Sequence, residues 1–193
     1  MPSFDLKGIK IAEYNAVEGS VSYTNVQSIG DAMNVNLELR YAEGRLYAES
    51  ALAEYMKLAV GGTISIGLKY IPDEAQKVMF GSRETSYTVS GTSSANIKGL
   101  ALGAKSVGKY VGVAFYAPDM RDKKKKFTCV KVNCALFSPP SLSYQTKGEN
   151  IQFSTPTTTG EFLADDSDNQ DMLEVAIVDT EELAKAWVEA VLT

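Results

Sequence analysis

The 193-residue chain is 45% apolar and 22% charged, with a formal net charge of −5, ordinary values for one folded domain with enough chain to bury a core. The negative balance disfavours a protein that wraps nucleic acid, which needs concentrated Lys and Arg, but it leaves passive contact with DNA open. Histidine is absent, and with it go His-based triads, His general bases and most zinc or haem ligand sets.

The first ten residues, MPSFDLKGIK, lack the basic-then-apolar order of a signal peptide. No apolar run approaches the ~20 residues of a membrane helix. The expectation is a product that stays in a cytoplasm or in something assembled there. Ile9, Ile11 and Tyr14 alternate with polar positions as a first strand, Glu18-Gly19 turns the chain, and Tyr23 to Ile29 is a second extended piece. Met33, Val35, Leu37 and Leu39 then alternate with Asn34, Asn36, Glu38 and Arg40, the period-two pattern of a half-buried strand.

Tyr41 to Ala48 carries a Glu43-Gly44 pair between Tyr41 and Tyr47 and reads as a hairpin tip or an extended loop, part of an extended region over about residues 41–60. Ala48 to Ala59 is rich in Ala, Leu, Glu, Met and Lys, which favours helix by propensity, yet it runs directly into a strand-like Gly62 to Tyr70. Both conformations stay open for it. Ile64, Ile66 and Leu68 share one face of that strand. Pro72-Asp73-Glu74 then opens a short helix over 72–80, with acids at its positive end and Gly81 as its left-handed stop.

Tyr87 and Val89 form a short strand. Ile97, Gly99 and Ala101 alternate with Leu100 and Leu102, which predicts a strand covered on both faces. Lys109 to Ala117 is another strand, paired as a hairpin with Phe127 to Phe137 across Pro118 to Lys126. The run Lys123 to Lys126 could touch phosphate or an acidic neighbour. A solvated hairpin tip, protected by lysine against edge-to-edge pairing, is the favoured reading. Cys129 and Cys134 lie five apart in one strand. A regular strand points them to opposite faces, so two reduced buried thiols are expected.

In Tyr144 to Leu163, Ile151 and Phe153 alternate with Gln152 and Ser154, after a turn at Lys147 to Asn150. Pro156 interrupts, and Thr157, Thr158 and Thr159 start a new extended run into Phe162. Glu161 to Glu182 holds nine acids and no Lys or Arg; the rest of the chain has fifteen acids against nineteen bases. Asp165-Asp166-Ser167-Asp168 lacks the Gly and terminal Glu of a calcium loop and reads as a mobile solvated loop. A C-terminal helix follows, capped by Asp179 or Thr180, with Leu183, Ala186, Trp187, Ala190 and Val191 as its apolar face.

No Gly-rich phosphate loop, GxSxG, CxxC or HExxH occurs. The paired carboxylates, Glu43 with Glu49 and Asp73 with Glu74, sit by a loop and at a helix start. No catalytic, cofactor or metal residue is therefore assigned. Many short strands and two helices predict a mainly β fold, a sandwich or open barrel, as a single domain over 1–193 with the acidic segment and helix at 161–193.

The run TKGENIQFSTPTTTGEF, from Thr146 to Phe162, resembles the closing segment of the major tail tube proteins of long-tailed bacteriophages. Leu46 to Glu54 leading into Gly61 to Gly67, then Ile71 to Glu74 and a helix ending at Gly81, follow in the same order. The resemblance covers about Ile9 to the C-terminus and rests on order and spacing. It implies a tail-tube type of sandwich or open barrel and hexameric rings stacked into a hollow tube. That tube conducts genomic DNA into the host bacterium, and it belongs to a virion tail assembled in the host cytoplasm. The implied partners are further copies of the chain, the tail tip or baseplate, the tape measure, the terminator and passing DNA, with no membrane and no cofactor. A non-contractile tail matches best, with the inner tube of a contractile tail or tailocin as the alternative. The chain ends on a short helix with no immunoglobulin-like module, so no surface decoration is expected. Tyr41, Arg45, Leu46, Tyr47, Leu52 and Tyr55 are the candidate inter-subunit contacts. A different class remains, a monomeric β-sandwich binding carbohydrate or protein through Tyr41, Tyr47, Tyr55, Tyr110 or Tyr116; an enzyme is the remote third.

Overall fold

A computed structural model describes residues 5–48, 51–90, 95–121, 123–141 and 155–193. Ten strands and two helices follow one another as β1 (Lys7–Val17), β2 (Ser20–Ser28), β3 (Ala32–Ala48), β4 (Ala51–Leu68), α1 (Asp73–Phe80), β5 (Arg83–Val89), β6 (Ala95–Ala101), β7 (Val111–Arg121), β8 (Lys124–Ser138), β9 (Thr157–Leu163), β10 (Leu173–Val178) and α2 (Glu181–Ala190). The fold is mainly β, as the strand periodicities predict. The hairpin expected over Tyr144 to Ser154 lies outside the described residues.

Eight strands form one antiparallel sheet in the order β2-β1-β7-β8-β9-β4-β3, and β10 also pairs with β8. β8 is long enough to serve two neighbours along one edge: β10 lies against Phe127 to Val132, and β9 against Cys134 to Ser138. Ile9 and Ile11 from one end of the sheet meet Ile64, Ile66 and Leu68 from the other in a single apolar cluster. The sheet therefore rolls around that cluster, because neither apolar face has another layer to bury it. Ala75, Val78, Met79 and Phe80 of α1 fill the opening of the roll. Gly81 ends α1 at φ 66°, its N–H bonded to Lys77 O, and a Cβ there would stand 2.3 Å from Val107 O. Only glycine lets the 103–109 segment cross the helix end.

On the opposite face, α2 covers β1, β7 and β8. Ala184, Val188 and Leu192 pack with Ala12, Tyr23, Ala114, Tyr116, Phe127 and Cys129. Thr180 is the N-cap, its hydroxyl accepting from Leu183 N–H at 3.3 Å. The apolar face is displaced from the expected one: Leu183, Ala186 and Ala190 are exposed, while Trp187 and Val191 are half-buried. The buried face is the one carrying Ala184, Val188 and Leu192.

Further expectations change. Glu43-Gly44 is no turn; both residues are mid-strand, opposite Lys57 and Met56. The helix alternative for Ala48 to Ala59 is overturned too, since these residues pair with β3 almost to its end. Cross-strand partners outweigh helix propensity there. β6 is not covered on both faces: Ala95 to Lys98 are exposed and Gly99 to Ala101 half-buried, and among the described residues β6 pairs only with β5 in a separate two-stranded sheet. Finally, the β7–β8 connection is two residues, with Pro118 opposite Phe127 and Arg121 opposite Lys124. Proline is tolerated because β1 reaches only Tyr116, leaving β7 without a partner on that edge beyond it among the described residues.

Both cysteines are buried and unbridged. β8 carries two residues, Asn133 and Cys134, against the single Gly112 of β7 between the Val111–Ala135 and Val113–Val132 pairs. This bulge reverses the alternation, so Val130 and Val132 before it and Ala135 and Phe137 after it face the same cluster. Cys129 and Cys134 consequently share the other face, contrary to the regular-strand expectation. Their separation along the strand, about 17 Å, still exceeds the roughly 7 Å limit of a disulfide.

The 164–172 connection is pinned rather than a free solvated loop. Asp165 is buried, and its Oδ1 accepts from Ser167 N–H and Asp171 N–H at 3.2 and 3.0 Å. Its Oδ2 accepts from Asn133 Nδ2 at 2.8 Å. Burial raises the Asp165 pKa, but the bonds from Ser167, Asn133 and Asp171 outweigh it and the net shift is downward.

Candidate assembly interface

Beyond Arg40 and Gly61 the β3–β4 pair leaves the body of the sheet. From Tyr41–Ala59 to Ala48–Ala51 its two strands bond, among the described residues, only to each other, a ribbon about 25 Å long at ~3.4 Å per residue. From Tyr41 to Tyr47 and from Glu54 to Val60 every side chain is exposed. A bulge at Val60, where Arg40 pairs with Gly61 but Tyr41 with Ala59, marks the point where the ribbon departs.

The ribbon has two unlike faces. Tyr41, Glu43, Arg45, Tyr55 and Lys57 share one, by the register of their pairs. Glu43 is its centre, 3.2 Å from Arg45 and 3.4 Å from Lys57. Lys57 Nζ lies 4.4 Å above the Tyr41 ring, and the Arg45 guanidinium 5.6 Å from that of Tyr55. Hydrogen bonds from Tyr55, Arg45 and Lys57 hold the Glu43 carboxyl below its ordinary value. Partial desolvation, and then the neighbouring Glu43, push the Tyr55 phenol up. The other face is apolar: Leu46, Met56 and Leu58 are 58%, 63% and 59% exposed, with Ala42 and Gly44 between them in register.

Of the sequence candidates, Tyr41, Arg45 and Tyr55 thus meet on the ionic face, and Leu46 stands on the apolar one. Tyr47 sits near the tip, opposite Leu52 in register and 61% exposed; the Leu52 side chain lies outside the described residues. Sequence reasoning missed Glu43 as the hub, and Met56 and Leu58 as the apolar stripe. The alternation Glu54-Met56-Leu58 was the available signal, hidden by the helical composition around it. Of the tyrosines named for a sugar-binding module, Tyr41 and Tyr55 lie under cations, Tyr47 and Tyr110 are exposed, and Tyr116 is buried, its hydroxyl donating to Glu181 at 3.1 Å.

The β5–β6 ribbon is also two-faced. Tyr87 pairs with Ile97 and Val89 with Ala95 on one side; Tyr87, Val89 and Ile97 are exposed. Glu84, Ser86, Asn96 and Lys98 occupy the other. The lysine run is partly engaged within the chain, Lys126 pairing with Asp179 and Lys125 lying 5.2 Å from the Phe127 ring. Among the described residues, no group of three or more His, Cys, Asp or Glu side chains is placed to hold a metal ion, and no helix is long and apolar enough to cross a membrane. The chain matches no model of a known protein family, and a search of curated proteins finds no match either.

Proposed function

We propose that this chain is a structural subunit of a tube, of the kind its sequence resembles: a phage tail tube protein of the non-contractile type, forming hexameric rings that stack into a conduit for DNA. The observation that carries the reading is the arm. A two-stranded ribbon is at best marginally stable in water, and this one presents three large apolar side chains to solvent. Such a face is stabilised by a partner, and further copies of the chain supply one at every position of a closed ring. β2 and β3, at the two ends of the sheet order, and β10 each have one unpaired edge among the described strands. Ring closure would cover edges that otherwise template uncontrolled pairing.

The outer face of β3, β4 and β9 suits passive contact with a polyanion. Asn34, Asn36, Thr63, Ser65 and Thr159 share it with Glu38 and an Arg40–Glu161 pair at 3.2 Å. It carries no cluster of unpaired cations to hold phosphate. Negative-stain electron microscopy across a concentration series tests the proposal. Rings or hollow tubes with six-fold symmetry are expected. Uniform small particles at every concentration, with no growth from added tail-tip complex, would sink it.

A further inference from the structure

Two glycines have no explanation within the single chain. Gly44 and Gly99 both lie mid-strand, neither with a left-handed φ. Among the described residues, a Cβ on Gly44 would meet nothing within 4 Å, and one on Gly99 only Thr85 Oγ1 at 3.3 Å. Glycine weakens an exposed strand and commonly marks the close approach of another backbone or ligand. Each gap lies in an exposed apolar face: Gly44 opposite Met56 on the arm, and Gly99 opposite Thr85 in the layer next to Tyr87 and Ile97.

The two faces also match in length and charge. On the arm, Glu54 stands two residues from Met56 and four from Leu58; on the ribbon, Arg83 stands two from Thr85 and four from Tyr87. Four strand residues span about 13 Å in both. Among the described residues neither Glu54 nor Arg83 is in a salt bridge, and both are exposed.

We infer that the arm of one copy lays its apolar face against the β5–β6 ribbon of a second copy, with Glu54 of the one reaching Arg83 of the other. In this register Met56 fills the Gly99 gap and Thr85 stands over Gly44. The large Tyr87 meets the small Ala42, and Leu58 meets Ile97. Met56 and Thr85 then face glycines and Tyr87 an alanine, Leu58 packs on Ile97, and the Glu54–Arg83 pair, diagonal across the next layer, sets the direction. The inference rests on the tube reading only for the identity of the partner, a second copy of this chain.

Two single-cysteine additions on the full-length chain test it, Met56→Cys and Gly99→Cys, purified separately, mixed and oxidised. A covalent dimer is expected from the mixture and from neither variant alone, since Cys129 and Cys134 are buried. No dimer from the mixture would overturn the pairing, even where wild-type tubes form. A dimer without tubes would retain the pairing and overturn the tube. As a second measure, Glu54→Arg and Arg83→Glu should each raise the concentration for association at least tenfold, and the double exchange should restore it. A double variant no better than the single ones would count against the ion pair and the register it sets.

Discussion

Replacing Leu46, Met56 and Leu58 together by threonine separates a surface that serves assembly from one that serves the fold. Each residue keeps roughly 60% of its surface exposed in the single chain. Complete burial of a Leu or Met side chain contributes ~1.5–3 kcal/mol, so covering the remainder contributes about 1–2 kcal/mol each. Three together give about 3–5 kcal/mol per contact before ordering costs. At ~1.4 kcal/mol per tenfold, the onset of association should move to concentrations about a hundredfold higher or more. Threonine is β-branched and favours a strand, and exposed substitutions shift stability by about 0.5 kcal/mol or less each. The three together sum to at most about 1.5 kcal/mol, so the melting temperature should move by no more than ~6 °C. Sedimentation velocity across a concentration series reads the first quantity and a thermal melt the second. Association at an unchanged concentration would refute the assignment of this face, and a melting temperature lowered by ~10 °C or more would show that the stripe supports the single chain instead.

In Gly112→Ala, the added Cβ would stand 2.4 Å from Tyr23 Cε1 and 3.1 Å from Leu192 Cδ2. Overpacking of this kind costs about 1–3 kcal/mol; an unchanged melting temperature would show that α2 can shift freely on the sheet. Asp165 has a folded pKa below its ordinary 3.8, so the stability it contributes is complete above that value and is lost as pH falls through the folded one. Asp165→Asn should lower the urea midpoint at neutral pH by the equivalent of about 1–3 kcal/mol, with the difference from wild type shrinking in acid; a difference that grew in acid would contradict the sign. Burial pushes the Cys129 thiol up, and burial with Asp166 and Asp165 nearby pushes Cys134 up to about 11. A thiol reagent at neutral pH should label neither in the native protein and both in denaturant, and rapid native labelling would disprove their burial.

Local patterns in the sequence were sufficient for several elements. Ile64, Ile66 and Leu68 alternate and are buried; Thr158, Gly160 and Phe162 do the same in β9. Glu18 and Gly19 take φ of 48° and 80°, the left-handed pair that a two-residue hairpin turn requires. The Pro72 to Gly81 helix runs between the stop and start residues expected for it. Each of these depends on neighbours within a few positions along the chain, where spacing and backbone preference act directly.

What long-range pairing decides, the sequence could not show. Ala48 to Ala59 has helical composition and became strand because β3 offers it a continuous partner. Glu43-Gly44 looked like a turn, but two residues of turn chemistry do not stop a strand whose ladder continues on both sides. The α2 face was settled by which groove of the sheet received it, and the parity of Cys129 and Cys134 by one extra residue in β8. The candidate site depended on such choices most of all. Tyr41, Arg45 and Tyr55 come together, and Leu46, Met56 and Leu58 line up opposite them, only once the register of β3 on β4 is set. That register is a property of two strands, because a one-residue slip would exchange the faces.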